Sequence, residues 1–402
     1  MLLIIEIIIF TYLAGCVFFN FFFSVAGKLA RRKKNIVQPP PSYQRIAILV
    51  PAYKEDEVIL SAAESYSHLN YPKAYYDTVV IADSLRPETL EALRGPGVRV
   101  IPVSFDVSTK AKSLNTAFEQ LEDRYDLALI CDADNVLEKD FLLKVNQAWL
   151  EGKEVLQAQR VAKNMDTPFA ILDAANEIVA NHIHRKGANA VGLSAPVIGS
   201  GMVFPFAFVK SVLKDIQAIG GFDKVLQLLV VAHGKKIHYL ENALVFDEKV
   251  ENPNAFRNQR RRWISAQIVY LRKFFAPGMK ALFRGQIDYF NLAVIQNMLM
   301  PRMLLLVAVG FFTLVYLLFS PYLGIPAAAW LIIMAMFIIS LLLPLPKKFY
   351  TTYFFTAMMA LPRVLGIMVA LMFRLKGANK TFIHTKHTKT GIDNPLLDGN
   401  AN

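Results

Sequence analysis

Apolar and polar positions divide the chain into three unlike stretches. From Leu2 to Ala26, about 25 residues carry a single ionisable side chain, Glu6, and the run closes on Lys28, Arg31, Arg32, Lys33 and Lys34. Length and the trailing cations together predict a spanning helix with its C-terminal end in the cytoplasm. A cleaved signal peptide would instead carry its positive charges ahead of a shorter apolar core. Pro39, Pro40 and Pro41 come next as a stiff extended spacer. The first stretch therefore divides into a transmembrane helix over 1–27 and a basic, proline-rich linker over 28–45.

From Ile46 to about residue 258, short apolar runs alternate with helical patterns, which predicts an α/β domain with a mostly parallel sheet covered by helices. The strand candidates are Ile46 to Val50, Thr78 to Ala82, Val98 to Val103, Leu127 to Cys131 and Ala243 to Phe246. Ligands of such sheets gather at the carboxyl ends of the strands. Polar residues stand at those ends here: Pro51, Tyr53 and Glu55 after the first run, Asp83 after the second, and Asp132 and Asp134 after the fourth.

The last stretch is apolar again. Residues 259–302 mix aromatic and aliphatic side chains with Arg272, Lys273, Lys280 and Arg284, an amphipathic pattern suited to lying on a membrane and broken at Pro277-Gly278. Met303 to Ser320 and Leu323 to Leu343 predict a transmembrane hairpin over 303–345. Phe349 to Phe373, within 346–376, is also long enough to span but carries Pro362 and Arg363 at its centre. A central arginine costs about 2.5 to 3.5 kcal/mol on insertion scales. A crossing would also place Arg374, Lys376, Lys380, Lys386 and Lys389 outside, so an interfacial or re-entrant helix is favoured over a fourth crossing. A polar cytoplasmic tail over 377–402 ends the chain given.

Composition agrees with a membrane protein: the apolar fraction is 54% and the mean hydropathy +0.35. The net charge of +12 lies beside apolar segments, which suits anionic lipid headgroups and argues against nucleic acid. Cys16 and Cys131 both fall in apolar runs, so neither a disulfide framework nor a zinc cluster is predicted. His182, His184, His384 and His387 show no ligand spacing and are expected at surfaces or interfaces.

The chemistry lies in Asp132-Ala133-Asp134 and, about a hundred residues on, in Gln259-Arg260-Arg261-Arg262-Trp263. A hard cation such as Mg²⁺ or Mn²⁺ is held by one or two carboxylates plus substrate phosphates. Arginine supplies donor forks for those phosphates, and tryptophan a face for a sugar ring. Over roughly Ile46 to Trp263 the chain resembles the membrane-bound inverting glycosyltransferases of family 2, the branch of cellulose, chitin and hyaluronan synthases and ceramide glucosyltransferase.

That resemblance implies a GT-A fold and a nucleotide-diphospho-sugar donor, with a UDP-sugar expected. It implies that Asp132 and Asp134 reach the metal and diphosphate, that Pro51, Tyr53, Glu55 and Asp83 border the nucleoside pocket, and that Arg262 with Gln259 serves the diphosphate while Trp263 stacks on the acceptor sugar. Lys110-Ala111-Lys112 looks like the family's lysine-rich stretch, with Lys112 expected at the nucleotide. Ser200-Gly201-Met202 resembles the loop that floors the acceptor site. One element departs from the family pattern: the usual threonine-glutamate-aspartate before Gly234 is missing, and counting back places Asp223 at the general-base position with Phe222 as its neighbour. Asp223 is the candidate base, and a helix N-cap is its structural alternative.

The resemblance thus implies a multi-pass membrane enzyme with a cytoplasmic catalytic domain. It would transfer a sugar to a lipid-linked or polysaccharide acceptor. A catalytically impaired scaffold of the same fold is the alternative. A transporter is disfavoured, because the apolar segments lack paired ionisable residues and internal repetition.

Overall fold

Alternation along the first strand, β1 (Ile46–Tyr53), shows how the central domain is layered. Ile46, Ile48 and Val50 face one side and Ala47 and Leu49 the other, and all are fully buried. A strand apolar on both faces needs helices on both, as in buried parallel sheets. The computed structural model describes residues 1–30, 39–95, 97–216, 220–373 and 387–396. The basic runs expected at 31–34 and 374–386, together with His384, lie outside them.

Helix α1 (Leu2–Leu29) precedes β1. Then come α2 (Ile59–Ser67), β2 (Tyr76–Asp83), α3 (Pro87–Ala92), β3 (Val98–Val103), α4 (Lys110–Gln120), β4 (Leu127–Ile130), β5 (Val136–Leu137), α5 (Phe141–Leu150), β6 (Val155–Ala162) and α6 (Pro168–Ala180). Helix α6 runs into a π-helical segment, Asn181–Gly187, and the short α7 (Ala188–Ala190). The domain continues with β7 (Met202–Pro205), α8 (Phe206–Leu213), α9 (Phe222–Ala232) and β8 (Ile237–Asp247). The eight-stranded sheet has the order β3-β2-β1-β4-β7-β6-β8-β5. Strands β3, β2, β1 and β4 are mutually parallel, β7 runs antiparallel to β4 and β6, and β8 runs parallel to β6 with a register shift at Ala158/Gln159.

Two sequence expectations fell short. Strands β6 and β7 were absent from the apolar runs: β6 is interrupted by Gln157, Gln159 and Arg160, and β7 is only four residues long. Gln157 is nevertheless fully buried, its amide donating to Ser200 O at 3.0 Å and its carbonyl accepting from Ile198 N at 3.0 Å. A polar residue whose groups are satisfied inside the sheet looks like a loop residue by type alone.

Helix α10 (Pro253–Phe283) corrects the second expectation, since it runs through Pro277 where a break was predicted. One proline removes a single intrahelical hydrogen bond, and tertiary packing can hold the helix through it. Here Ala281 is buried, and a Cβ at Gly278 would collide with Val294 of the π-helical turn Asn291–Ile295, so the proline step is clamped from the side. That turn lies between α11 (Ile287–Phe290) and α12 (Gln296–Met298). The outer face of α10 leaves Trp263, Ile268, Val269, Phe275 and Phe283 exposed.

Helices α13 (Arg302–Phe319) and α14 (Ala327–Leu342) form the expected hairpin and pack on α1 around the fully buried Trp330. That ring stacks on Phe312 at 5.1 Å and meets the edge of Phe10 at 5.1 Å. The final apolar run is two helices, α15 (Lys347–Thr352) and α16 (Phe354–Met372). Helices α1, α13 and α16 are long and apolar enough to cross a membrane. At its buried face α16 sets Val364, Met368 and Leu371 into a core shared with Phe169 of α6 and Phe256 of α10, and the Arg363 guanidinium lies 5.6 Å over the Phe169 ring.

Helix α1 also grips the central domain. A Cβ on Gly187 would collide with the Phe23 carbonyl, and one on Gly27 would come within 2.9 Å of His182 Nε2. Glycine at both contacts lets the π-helical segment and α1 approach backbone to backbone. His182 Nε2 then lies 2.8 Å from the Ser24 carbonyl, inside the contact between α1 and the π-helical segment.

Candidate active site

The carboxyl ends of β2, β1 and β4 bring the predicted acids together. In β1/β2 pairing Tyr53 stands opposite Asp83, and Lys54 N donates to Asp83 O at 3.1 Å. Lys54 and Ser84, the residues that leave the two strands, hold φ at 55° and 58°. Non-glycine residues at positive φ are uncommon and cluster at functional sites. Asp83 is 1% exposed; its Oδ1 accepts from Ser84 Oγ at 3.0 Å, while Oδ2 is buried with no hydrogen-bond partner. An orphaned buried carboxylate oxygen is costly, and a ligand hydroxyl or N–H would relieve it. Pro51 and Tyr53 border the same end of the sheet, half-buried.

The turn after β4 is tied by Asn135, which sequence patterning missed although it directly follows the acid pair. Its Oδ1 accepts from Asp132 N at 3.0 Å and from Ser200 Oγ at 2.6 Å. Ser200, expected with Gly201 at the acceptor floor, has its side chain fully buried behind the turn, where it supports Asn135. Gly201, at φ +62°, is needed because a Cβ would meet Val245 Cγ2 at 2.8 Å.

Asp132 is ion-paired to Lys110, whose Nζ also donates to Gly199 O at 2.7 Å. The crevice lysine is therefore Lys110, where Lys112 was expected. Lys110 opens α4, and at about 100° per residue Lys112 emerges on the far side, where its Nζ bonds Val107 O at 2.9 Å. Asp134 is 2% exposed; its Oδ2 accepts from Glu248 N at 2.9 Å. Burial raises its carboxyl to about 6, with Asp247 and Asp132 adding to the rise and His387 and Lys163 opposing it.

Two carboxylates at one strand end, one accessible and one buried beside further acids, fit a hard divalent cation whose shell is completed by phosphate oxygens and water. Among the described residues no group of three or more His, Cys, Asp or Glu side chains is placed to hold a metal by itself. Asp132 and Asp134 would hold the ion, with the substrate supplying the rest.

Acids around the end of β8 add a layer that sequence patterning did not single out, although Asp247 stands directly after the run Ala243 to Phe246. Asp247 pairs with Lys249 at 2.7 Å and with Arg160 at 3.7 Å, and Glu177 pairs with Arg160 at 2.7 Å and with Arg185 at 3.6 Å. Burial opposes the charge on Glu177, but Arg160, Lys249 and Arg185 bring its pKa down to about 2. Asp223 lies in the first turn of α9, two residues after the N-cap Gly221, and near enough to Lys110 of this crevice to feel its charge. Burial raises the Asp223 pKa, with Lys224 and Lys110 opposing.

His387 corrects another expectation: Nδ1 lies 2.9 Å from Glu55 Oε1 inside the crevice. Residues 387–396 are laid across the sheet end. Thr388 N and Lys389 N donate to Glu248 Oε2 at 2.9 and 2.8 Å, Lys163 Nζ donates to Lys389 O at 2.9 Å, and Asp393 N donates to Lys163 O at 2.7 Å.

The pentad sits in α10. Arg260 is paired with Asp173 and lies 4.2 Å over the Trp263 ring and 4.8 Å over Phe256. Trp263 is 44% exposed, Gln259 has a buried Oε1 without a hydrogen-bond partner, and burial pulls the pKa of the half-buried Arg262 down. The fold thus brings Asp83, Asp132, Asp134, Glu55 and Lys110 into one crevice, with Asp223 near its edge.

The pattern described as Glycosyltransferase like family 2 matches residues 41–266, more than half of the chain. The chain belongs to this glycosyltransferase family. It is 24% identical over 370 residues to Probable glucomannan 4-beta-mannosyltransferase 1 of Arabidopsis thaliana, covering 85% of this chain and 65% of that protein. It is 20% identical over 282 residues to Probable glycosyltransferase YdaM of Bacillus subtilis (strain 168), covering 65% and 63%. The chain thus spans slightly under two thirds of both relatives. Among solved structures it is similar to the mannosyltransferase PcManGT from Pyrobaculum calidifontis in complex with GDP-Man and Mn²⁺, at 16% identity and a TM-score of 0.53 over 92% of this chain and 99% of that one. That likeness is one of fold, and the family's GT-A architecture is the fold found here.

Proposed function

We propose that the protein is an inverting glycosyltransferase that moves a hexose from a nucleoside-diphospho-sugar to a lipid-linked or polysaccharide acceptor at the cytoplasmic face of a membrane. One observation carries the proposal: Asp83, with its buried Oδ2 unpartnered, and the Asp132–Asp134 pair stand at the ends of parallel strands only one strand apart. Relatives named as mannosyltransferases support mannose as the sugar, so GDP-mannose stands beside the UDP-sugars as a candidate donor.

Asp83 and Glu55 would take the nucleoside, and Asp132 with Asp134 would hold Mg²⁺ or Mn²⁺ against the diphosphate. The bound ion would stabilise charge on the leaving group. Arg262 would add a donor fork to the same oxygens. Asp223, its pKa raised by burial, is suited to accept the proton of an acceptor hydroxyl as the hydroxyl oxygen attacks the anomeric carbon. The C1–O bond to the diphosphate breaks as the new bond forms on the opposite face, which inverts the anomeric centre.

Helices α1, α13 and α14 would anchor the domain, with α16, although long and apolar enough to cross, lying interfacially because Pro362 and Arg363 stand at its centre. The test is release of nucleoside diphosphate by the purified protein in lipid nanodiscs, with GDP-mannose and UDP-hexoses and with and without Mn²⁺. Metal-dependent release with one donor supports transfer. Tight nucleotide binding without release from any donor would favour the impaired scaffold instead.

A further inference from the structure

The backbone that delivers Asp223 has little of its own to hold it. Gly220 and Gly221 lead into α9, and Gly221 is the N-cap, at φ +68° and without a side chain to cap the helix. Glycine there leaves the turn and the first helical N–H groups unrestrained by local chemistry. The direction in which α9 starts must then be set by a neighbouring element.

Helix α10 supplies that restraint. Tyr270, 7% exposed, donates its hydroxyl to the Gly220 carbonyl at 2.5 Å. Its ring lies so close to the next residue that a Cβ on Gly221 would meet Cε2 at 2.8 Å, and Phe274 stacks on the ring at 6.0 Å between centroids. Burial and the nearby Asp223 charge push the Tyr270 phenol up to about 12, so it stays a donor across neutral pH. From the crevice, Lys110 Nζ lies 5.6 Å from the centre of the buried Phe222 ring, and Lys110 is the cation paired with Asp132. Asp223 follows Phe222 directly. The charges that reach its carboxylate come from Lys224 on α9, Lys110 on α4 and Arg185 of the π-helical segment, with Tyr270 the titratable group beside it on α10.

Tyr270 also stands two helical turns after Trp263, less about 20°, so both side chains leave one face of α10 roughly 10 Å apart along its axis.

We propose that Tyr270 is a positioning residue for the general base: its hydroxyl and ring hold the Gly220-Gly221 turn so that the Asp223 carboxylate is presented to the acceptor at a fixed place. The inference rests on the proposal that Asp223 takes the acceptor proton. With Trp263 on the same helix, α10 then sets the spacing between the face that stacks on the acceptor sugar and the base that deprotonates it.

The experiment uses the full chain in lipid nanodiscs with Mn²⁺, water as the acceptor, and whichever of GDP-mannose and the UDP-hexoses the wild type turns over. Release of nucleoside diphosphate is followed from acid to alkaline pH, and nucleoside diphosphate affinity is measured by calorimetry. Tyr270→Phe keeps the ring and loses the hydrogen bond, and should lower kcat about tenfold; Tyr270→Leu loses both, and should lower it about 100-fold, the scale of a small misplacement of a reacting group. Nucleotide affinity should stay within about twofold in both. The base must be ionised to accept a proton, so kcat rises with pH through its pKa. Burial raises that pKa in the wild type, and a loosened turn lets water reach the carboxylate, so the acidic limb of the kcat profile should move about one pH unit lower in the variants. Gly221→Ala presses a methyl group against the ring and should reproduce both effects with Tyr270 intact, so poor folding of one variant would not hide the result.

Wild-type kcat in Tyr270→Leu would overturn the inference, as would a loss of kcat with an unmoved acidic limb, which is what a merely structural contact gives. Asp223→Asn should lower kcat at least about 100-fold. Wild-type turnover in that variant would overturn the base assignment and the role of Tyr270 with it, whereas an inactive Asp223→Asn beside unaffected Tyr270 variants would overturn the positioning inference alone.

Discussion

His387 and Glu55 stand 332 positions apart in the chain and 2.9 Å apart in the fold. Burial works to lower the His387 pKa, but Asp134, Glu55 and Glu248 outweigh it and raise it to about 10, so a positive charge closes the acid-lined crevice from the C-terminal side. The imidazole anchors a segment whose next two amides are held by Glu248. Replacing His387 by alanine should therefore release this strap. Hydrogen exchange at Thr388 and Lys389 should rise about tenfold, the scale of losing one interaction worth roughly 1.4 kcal/mol. Exchange measured by mass spectrometry on wild type and His387→Ala decides this, and unchanged protection would show that the backbone contacts hold the segment without the histidine.

Lys110 and Lys112 make opposite predictions although they are two residues apart. Lys110 bridges Asp132 and Gly199, whereas Lys112 bonds its own loop at Val107. Lys110→Ala should lower transfer about 100-fold, the range for losing one preorganised charge at a reacting diphosphate. Lys112→Ala should stay within about twofold, as for surface substitutions. Steady-state turnover with a saturating donor separates them, and similar losses in both variants would return Lys112 to the site.

The same pair marks how far the chain could be understood before folding. Strands β1, β2 and β4 are legible because each holds an unbroken apolar run, β3 despite Arg99, and β8 only in its second half, Ala243 to Phe246; the acids after β1, β2 and β4 fall where strand ends put them. Choosing between Lys110 and Lys112 needed the starting phase of α4, which depends on Thr109 accepting from Lys112 N as the N-cap. Ser200 was legible as a small residue near the site but not as the support of Asn135, since that contact joins positions 65 apart. His387 was illegible for the same reason at greater range: no local pattern encodes which acid a distant imidazole will meet.

Asp134→Ala tests the metal site. Its carboxylate is buried and raised to about 6 by a crowded, desolvated setting that a divalent cation would favour in its ionised form. Removing it should weaken Mn²⁺-dependent nucleotide binding by more than the roughly 10 to 100-fold carried by groups that merely orient metal ligands. Titration calorimetry with nucleoside diphosphate, with and without Mn²⁺, gives the answer. Equal affinity in the variant and the wild type under both conditions would refute the assignment.

Arg262 and Trp263 are neighbours in α10 with different work to do. Burial around Arg262 strengthens any bond it makes to a diphosphate, so Arg262→Ala should lower turnover with every acceptor, water included, and weaken nucleotide retention. Trp263 is 44% exposed and carries the Arg260 guanidinium on one face at 4.2 Å, which fixes the ring while Asp173 fixes Arg260. Trp263→Ala should spare nucleotide binding and reduce transfer to sugar acceptors selectively, since stacking contributes about 0.5 to 1.5 kcal/mol beyond area burial. A pentad that only touched lipid would behave otherwise: both variants would extract more easily from the membrane and leave nucleotide affinity unchanged. Nucleotide affinity, transfer rate and detergent extraction measured on both variants in one lipid background distinguish the two, because only the catalytic role divides the losses between donor for Arg262 and acceptor for Trp263.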